Sequence, residues 1–178
     1  MRRLAFGLVL IAILGWVSWR LIQAPGTTAL PGVDADSVGT GLKAARLYFA
    51  APTGDSLIAE AREMPEPQDL HERVAALVGE LDRGPTGRGI ATLPAGTSLL
   101  HVYLDDRGLL TVDLSRAFQQ GFRGGASTEY LAVASLARTL AANVPETRQI
   151  MLVCGGEPIA TLGGHLPLDR PLEVSDLP

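Results

Sequence analysis

Two stretches of helical periodicity and three pairs of alternating stretches organise this chain. Leu70, Val74, Leu77, Val78 and Leu81 recur at the spacing of one buried helix face, and Gly84-Pro85 terminates that pattern. A second stripe, Val133, Leu136, Ala137, Leu140 and Val144, belongs to a helix that Ser127 is placed to cap and that runs to Asn143. The alternating stretches come in pairs. Ala44–Ala50 and Ser56–Glu63 flank Pro52-Thr53-Gly54-Asp55, with Leu57, Ala59 and Ala61 sharing a face. Thr97–Leu104 and Leu109–Leu114 flank Asp105-Asp106-Arg107-Gly108, and Ser115–Gly121 reads as a short helical turn. Gln149–Cys154 and Glu157–Leu162 flank Gly155-Gly156, which supplies the positive φ of a two-residue primed turn. The order is hairpin, helix, hairpin, helix, hairpin. It predicts an α+β fold, a two-layer sandwich in which a mostly antiparallel, hairpin-built sheet carries two helices on one face.

The start of the chain has a different character. Arg2-Arg3 precede the uncharged run Leu4–Trp19, and Arg20 follows it. A spanning helix takes roughly 17–25 apolar residues. Leu21-Ile22 complete that length if Arg20 snorkels, and Trp16 and Trp19 suit an interfacial belt. Residues 1–22 are therefore read as a membrane anchor, with a cleaved signal sequence as the alternative. Pro25 directly after Ala24 disfavours cleavage there. Residues 23–42 hold Gly, Pro, Thr, Ser and Asp without periodicity and read as a flexible linker. Residues 43–172 form the predicted domain and 173–178 a C-terminal tail. The basic flank at Arg2-Arg3 sets the N-terminus inside, so the domain faces the periplasm or another extracytoplasmic space.

Charge and cysteine content narrow the function classes. Arg2, Arg3 and Arg20 are three of the 15 basic residues, which leaves 12 against 19 acids in the exported part, a net charge of −7. Such a domain is not a nucleic-acid or anionic-lipid binder. The sole lysine, Lys43, stands in no Gly-x-x-x-x-Gly-Lys context, so a P-loop is excluded. The one cysteine, Cys154, lies in a predicted strand and reads as a small core residue. Disulfides within the chain and Cys-based metal sites are thereby excluded, and no lipid acceptor follows the apolar run.

The turn and cap segments carry a resemblance. Pro94-Ala95-Gly96-Thr97 leads into Leu99-Leu100. Val112-Asp113-Leu114-Ser115 and Phe118 follow, then Gly125-Ala126-Ser127-Thr128-Glu129. Thr139-Leu140 and Val144-Pro145-Glu146 come next, and Leu162-Gly163-Gly164-His165 comes last. In order and spacing, over about Leu47–Leu172, these resemble the GerMN domain of sporulation and spore germination proteins. The resemblance implies a fold related to the ring-building motifs of sporulation channel proteins. It also implies a role in cell-envelope assembly without catalytic residues.

The residues that could carry chemistry each have a plainer reading. Asp105 and Asp106 flank a tight turn and Asp113 sits where a cap would be, so the carboxylates read as turn and cap groups rather than cation ligands. Ser127 lacks the second glycine of a Gly-x-Ser-x-Gly elbow. His71, His101 and His165 are scattered, with His165 the most exposed of the three by context. Gly121-Phe122-Arg123-Gly124-Gly125 before a helix is a weak anion-cradle candidate. No catalytic, cofactor-binding or metal-binding residue is assigned. The leading expectation is a non-enzymatic interaction domain whose partners are envelope proteins, with self-association as a further mode and residues 4–22 in the membrane. Its exposed sheet edges, including Ile159 in the last hairpin, would do the pairing. The rival expectations are a peptidoglycan-binding or amidase-accessory module and an uncharacterised hydrolase. Leu140→Ala is expected to cost about 2–5 kcal/mol as a core truncation. Glu129→Ala, in a first helical turn, is expected to cost roughly 0.3–1 kcal/mol.

Overall fold

The computed structural model describes residues 42–65 and 67–177. The expected anchor at 1–22, and the linker at 23–42 except for Leu42, lie outside them. Strand β1 (Leu42–Ala50) pairs antiparallel with β2 (Leu57–Pro65), from Leu42 opposite Pro65 to Ala50 opposite Leu57. Helix α1 follows at Leu70–Arg83. The Asp69 side chain caps it by accepting from the Glu72 N–H at 3.0 Å, and Gly84 leaves it at φ 82°. Its buried residues are Val74, Leu77, Val78 and Leu81, with Leu70 half-buried, as the periodicity requires.

Strands β3 (Leu99–Leu104) and β4 (Leu109–Leu114) form the second hairpin. Its turn is held by Asp105, whose Oδ1 accepts from the N–H groups of Arg107 at 2.9 Å and Leu109 at 2.8 Å. Gly108 adopts the φ of 87° that the turn needs. A short helix, α2 (Ala117–Gln120), and a long one, α3 (Ala126–Asn143), then cross back to β5 (Gln149–Cys154). Because this crossover is helical, β5 lies parallel to β4, in a sheet that is otherwise antiparallel.

The last hairpin is shorter than expected. Strand β6 is only Glu157–Pro158, since Pro158 has no N–H to continue a ladder and the chain turns inward at Ile159. Strand β7 (Leu172–Glu173) occupies the rest of the β5 edge, opposite Ile150 and Gln149. Residues 173–177, expected in a tail, thus join the domain. Val174 N–H donates to Arg148 O at 3.0 Å, Arg138 donates to Leu177 O, and the Leu177 side chain is buried. An apolar leucine near the end gives this segment something to bury, which a charge count overlooks.

The α+β class with two main helices holds, but the strands divide into two sheets. The β1–β2 hairpin forms a two-stranded sheet, and β3-β4-β5-β6 with β7 forms the five-stranded one. The hairpin is joined to the rest through the polar side chains of α3. Asn143 Oδ1 accepts from Arg46 N–H at 3.0 Å, and its Nδ2 donates to Arg46 O at 2.8 Å. Thr139 Oγ1 accepts from Tyr48 N–H at 3.0 Å, and Ser135 Oγ donates to Tyr48 O at 2.5 Å. Ala50 exchanges both backbone bonds with Ile90, at 3.2 and 2.8 Å. Ser135, Thr139 and Asn143 recur every four residues, so they line one ridge of the helix. Alternate residues of β1 present their backbone groups to that ridge. An edge that would pair with another strand is closed by helix side chains.

Helix α3 begins two residues earlier than expected, with its cap at Gly125 and not at Ser127. Gly125, extended at φ −97°, is the residue before it, and Glu129 N–H donates to Gly125 O at 2.9 Å. Ser127 is therefore inside the first turn, exposed, and is not the cap.

Thr139→Val keeps the shape of the side chain but leaves the Tyr48 N–H without its acceptor. It should destabilise the domain by about 1–3 kcal/mol in urea unfolding. Leu140→Ala, at a fully buried position of the same helix, should cost about 2–5 kcal/mol. A Thr139→Val variant as stable as the unmodified chain would show that the ridge does not hold β1.

Candidate interaction surface

The residues with chemical potential are brought together in ways the sequence did not foretell. Glu129, expected at the solvated start of a helix, is fully buried. Its Oε1 accepts from Leu162 N–H at 2.9 Å, and its Oε2 accepts from His165 N–H at 2.9 Å and lies 3.1 Å from His165 Nδ1. Burial pushes this carboxyl's pKa up. The backbone N–H groups of Gly163, His165, Leu166 and Leu162 outweigh that and hold it below the ordinary carboxylate value. Gly163 is required by close approach, because a Cβ there would stand 2.6 Å from Phe122 Cε1. Gly164 has φ 94°, which only glycine adopts at little cost. Segment Leu162-Gly163-Gly164-His165 is therefore a backbone loop wrapped on one buried carboxylate. The His165 ring remains half-exposed on its rim.

The sequence did contain a signal for this. Glu129 stands four, seven and eleven residues before Val133, Leu136 and Leu140, so it lies on the buried stripe itself. An acid on an apolar stripe needs several donors in the fold.

The other candidates are also occupied. Asp113 is buried on β4 and accepts from Gly156 N–H at 3.0 Å, so it fixes the β5–β6 turn instead of capping a helix. Asp106 is exposed, and Arg123 donates to the Gln120 and Phe122 carbonyls of its own loop rather than to an incoming anion. Cys154 is buried, and burial with the Asp113 charge pushes its thiol up to about 11. His101 is exposed, while the His71 ring reaches Leu100 O at 3.1 Å and covers part of the outer edge of β3.

On β2 the face shared by Leu57, Ala59 and Ala61 is the outward one, with Ala59 and Ala61 exposed. The inward positions hold Glu60 and Arg62. Arg62 donates to Glu60 at 2.5 Å, to Glu80 of α1 at 2.6 Å and to Gly84 O at 3.1 Å. Glu60 also accepts from the Thr86 hydroxyl at 2.7 Å and from Gly87 N–H at 3.0 Å. The Thr86 hydroxyl and then Arg62 lower its pKa to about 2. Paired charges thus take inward places that the apolar count would have given to alanine.

These registers decide which edges remain open. Because Arg46, Tyr48 and Ala50 turn their backbone groups toward α3 and Ile90, the alternate residues of β1 face β2. On β2 the residues opposite those face β1. The N–H and C=O groups of Leu57, Ala59, Ala61 and Glu63 then point away, along an exposed flank with small side chains at its centre. Ile159, expected on an exposed edge, is buried and belongs to no strand. Pro158 ends the ladder just before it, so Ile159→Lys would disrupt the core rather than a docking edge.

A family model described as "Germane: Sporulation and spore germination" matches residues 46–160. Among solved structures the chain is similar to the tandem GerMN domains of the sporulation protein GerM from Bacillus subtilis, at TM-score 0.60 and 19% identity. That match covers 76% of this chain and 47% of that one, so this chain spans about half the length of the tandem structure. The first GerMN domain of the same protein matches at TM-score 0.56 and 20% identity, covering 75% of this chain and 99% of that one. A putative lipoprotein from Clostridium perfringens matches at TM-score 0.53 and 21% identity, covering 78% and 91%. No curated protein matches.

The buried carboxylate makes a prediction in pH. The folded-state pKa of Glu129 is depressed, so its stabilisation is present above the unfolded carboxyl value of about 4.3 and is lost as pH falls through the lower folded value. Glu129→Ala should therefore cost about 3 kcal/mol at pH 7, because it leaves buried N–H groups unpaired. That is well above the loss expected of a solvated acid. In urea unfolding the gap between this variant and the unmodified chain should narrow below pH 4. A gap that is small at pH 7 would refute the clasp.

Proposed function

The chain belongs to the Germane family of sporulation and spore germination domains, and from that premise we propose that it is a non-catalytic binding domain held outside the cytoplasm. In this reading it takes up an extended segment of an envelope protein by strand addition to the free edge of β2. The observation that carries the reading is that edge. Four residues of one nine-residue strand turn their N–H and C=O groups outward, and alanines at 59 and 61 let another backbone approach.

The polar groups that could carry catalysis are engaged in structural hydrogen bonds. Asp105, Asp113, Glu129, Glu60 and Arg123 each hold a turn, a loop or a neighbouring element. Ser127 is exposed in the first turn of α3. The tether is assigned to residues 4–22, for which the uncharged run between Arg3 and Arg20 is the support. No helix among the described residues is long and apolar enough to cross a membrane. The putative lipoprotein among the similar structures fits an extracytoplasmic setting, although no cysteine directly follows the apolar run here.

Ala61→Pro removes one outward N–H without touching the bonds to β1, a substitution that a sheet edge tolerates. It should leave cooperative unfolding intact and abolish crosslinking of the full chain to its partner in native membranes. Single Asp105→Ala and Ser127→Ala variants should keep that crosslink. Protease added to intact spheroplasts should degrade the domain. Unchanged crosslinking by a folded Ala61→Pro variant would refute the edge, and a protease-protected domain would refute the location.

A further inference from the structure

The free flank of β2 carries its own side-chain chemistry on the outward face of the hairpin. Tyr48 stands opposite Ala59, Arg46 opposite Ala61 and Ala44 opposite Glu63, and directly opposite residues share a face. Arg46, Ala59, Ala61 and Glu63 are exposed there, and Tyr48 is half-buried. Arg46 bonds to Asn143 through its backbone groups alone. Among the described residues, neither its guanidinium nor the Glu63 carboxylate has a hydrogen bond or ion pair. The inward face differs. Arg62 is paired with Glu60 and Glu80, and Glu60 also accepts from the Thr86 hydroxyl. A guest's inward side chains meet charges that are already engaged, so its selection falls to the outward face.

A segment added to β2 lies two strand spacings from β1, about 9.5 Å. At positions 59 and 61 only a methyl group stands between. A carboxylate on the residue opposite Ala61 therefore meets Arg46 across the alanine, and an aromatic ring opposite Ala59 meets Tyr48 in the same way. A residue opposite Glu63 faces that carboxylate directly. Cross-strand neighbours of opposite charge are favoured, and like charges are disfavoured. Antiparallel addition is the more stable pairing per residue, and it fixes the order in which the guest must present these groups.

We propose that the β2 edge selects a segment that reads basic-x-acidic-x-aromatic from its N-terminal end. The basic residue lies opposite Glu63, the acid opposite Ala61 within reach of Arg46, and the aromatic opposite Ala59 within reach of Tyr48. The inference rests on strand addition at this edge and adds to it the side-chain pattern of the partner.

The test is an NMR titration of the full chain in detergent micelles at low salt, following the Ala59 and Ala61 amides. The probes are two acetylated and amidated peptides of one composition, Thr-Lys-Thr-Glu-Thr-Phe-Thr-Val and Thr-Glu-Thr-Lys-Thr-Phe-Thr-Val. The first should bind saturably and roughly fivefold more tightly than the second. Replacing its Phe by Ala should weaken it roughly threefold. The paired substitutions Arg46→Glu and Glu63→Lys leave the backbone bonds to Asn143 in place and should invert the preference between the two peptides. Should that double variant fail to unfold cooperatively in urea, Glu63→Gln alone should shrink the preference roughly twofold. Equal binding of the two peptides, or a preference unchanged in the folded variants, would overturn the pattern while strand addition stands. Shifts of neither amide with either peptide would overturn strand addition itself, and the pattern with it.

Discussion

A β-strand with unpaired backbone groups at its edge must be paired, covered or exposed to water. The arrangement of this domain follows from how β1 meets that constraint. Its edge is closed by Ser135, Thr139 and Asn143 from one ridge of α3, and by Ile90 from the loop beyond α1. A helix that would otherwise only lay apolar residues on a sheet is thereby also a surrogate strand. The hairpin need not join the five-stranded sheet, and it does not. Leu47 and Phe49, buried between these polar contacts, then share one core with Leu136 and Leu140.

Closure at β1 leaves the opposite flank of the hairpin as the place where backbone remains available. The inward side of β2 is fixed by Arg62 bridging Glu60 and Glu80, which ties the strand to α1. A rigid strand with its inward face held and its outward flank open is suited to strand addition, since little conformational freedom is lost there on binding. The carboxylate of Glu129 does similar work at the other end of α3. It gathers the backbone of residues 162–165 around one charge, so a loop without regular structure is held as firmly as a strand.

Much of this was legible in the sequence. Both apolar stripes, the Asp105–Gly108 turn and the first two hairpins are local patterns, set by periodicity and by glycine or aspartate at turn positions. The order of the turn segments pointed to the family. What escaped depends on contacts between distant residues. Thr139 and Asn143 look like ordinary helix residues until β1 is placed beside them, ninety-one and ninety-seven positions away in their hydrogen bonds. Glu129 looked solvated because first-turn acids commonly are, although its place on the stripe marked it as buried. The parallel pairing of β4 with β5 follows from the helical crossover, which hairpin counting does not reveal. The glycine pair at 155–156 predicts a long hairpin with Ile159 on its edge, and Pro158 cuts that hairpin short.

The central claim is that one flank of the β1–β2 hairpin is sealed by α3 while the other stays open for pairing. Native-state hydrogen exchange on the full chain tests this residue by residue. The account predicts that the Tyr48 amide exchanges only on global unfolding, whereas the Ala59 and Ala61 amides exchange nearly as fast as in an unstructured chain. Rapid exchange at Tyr48, or strong protection at Ala59 and Ala61 in the unbound protein, would contradict it.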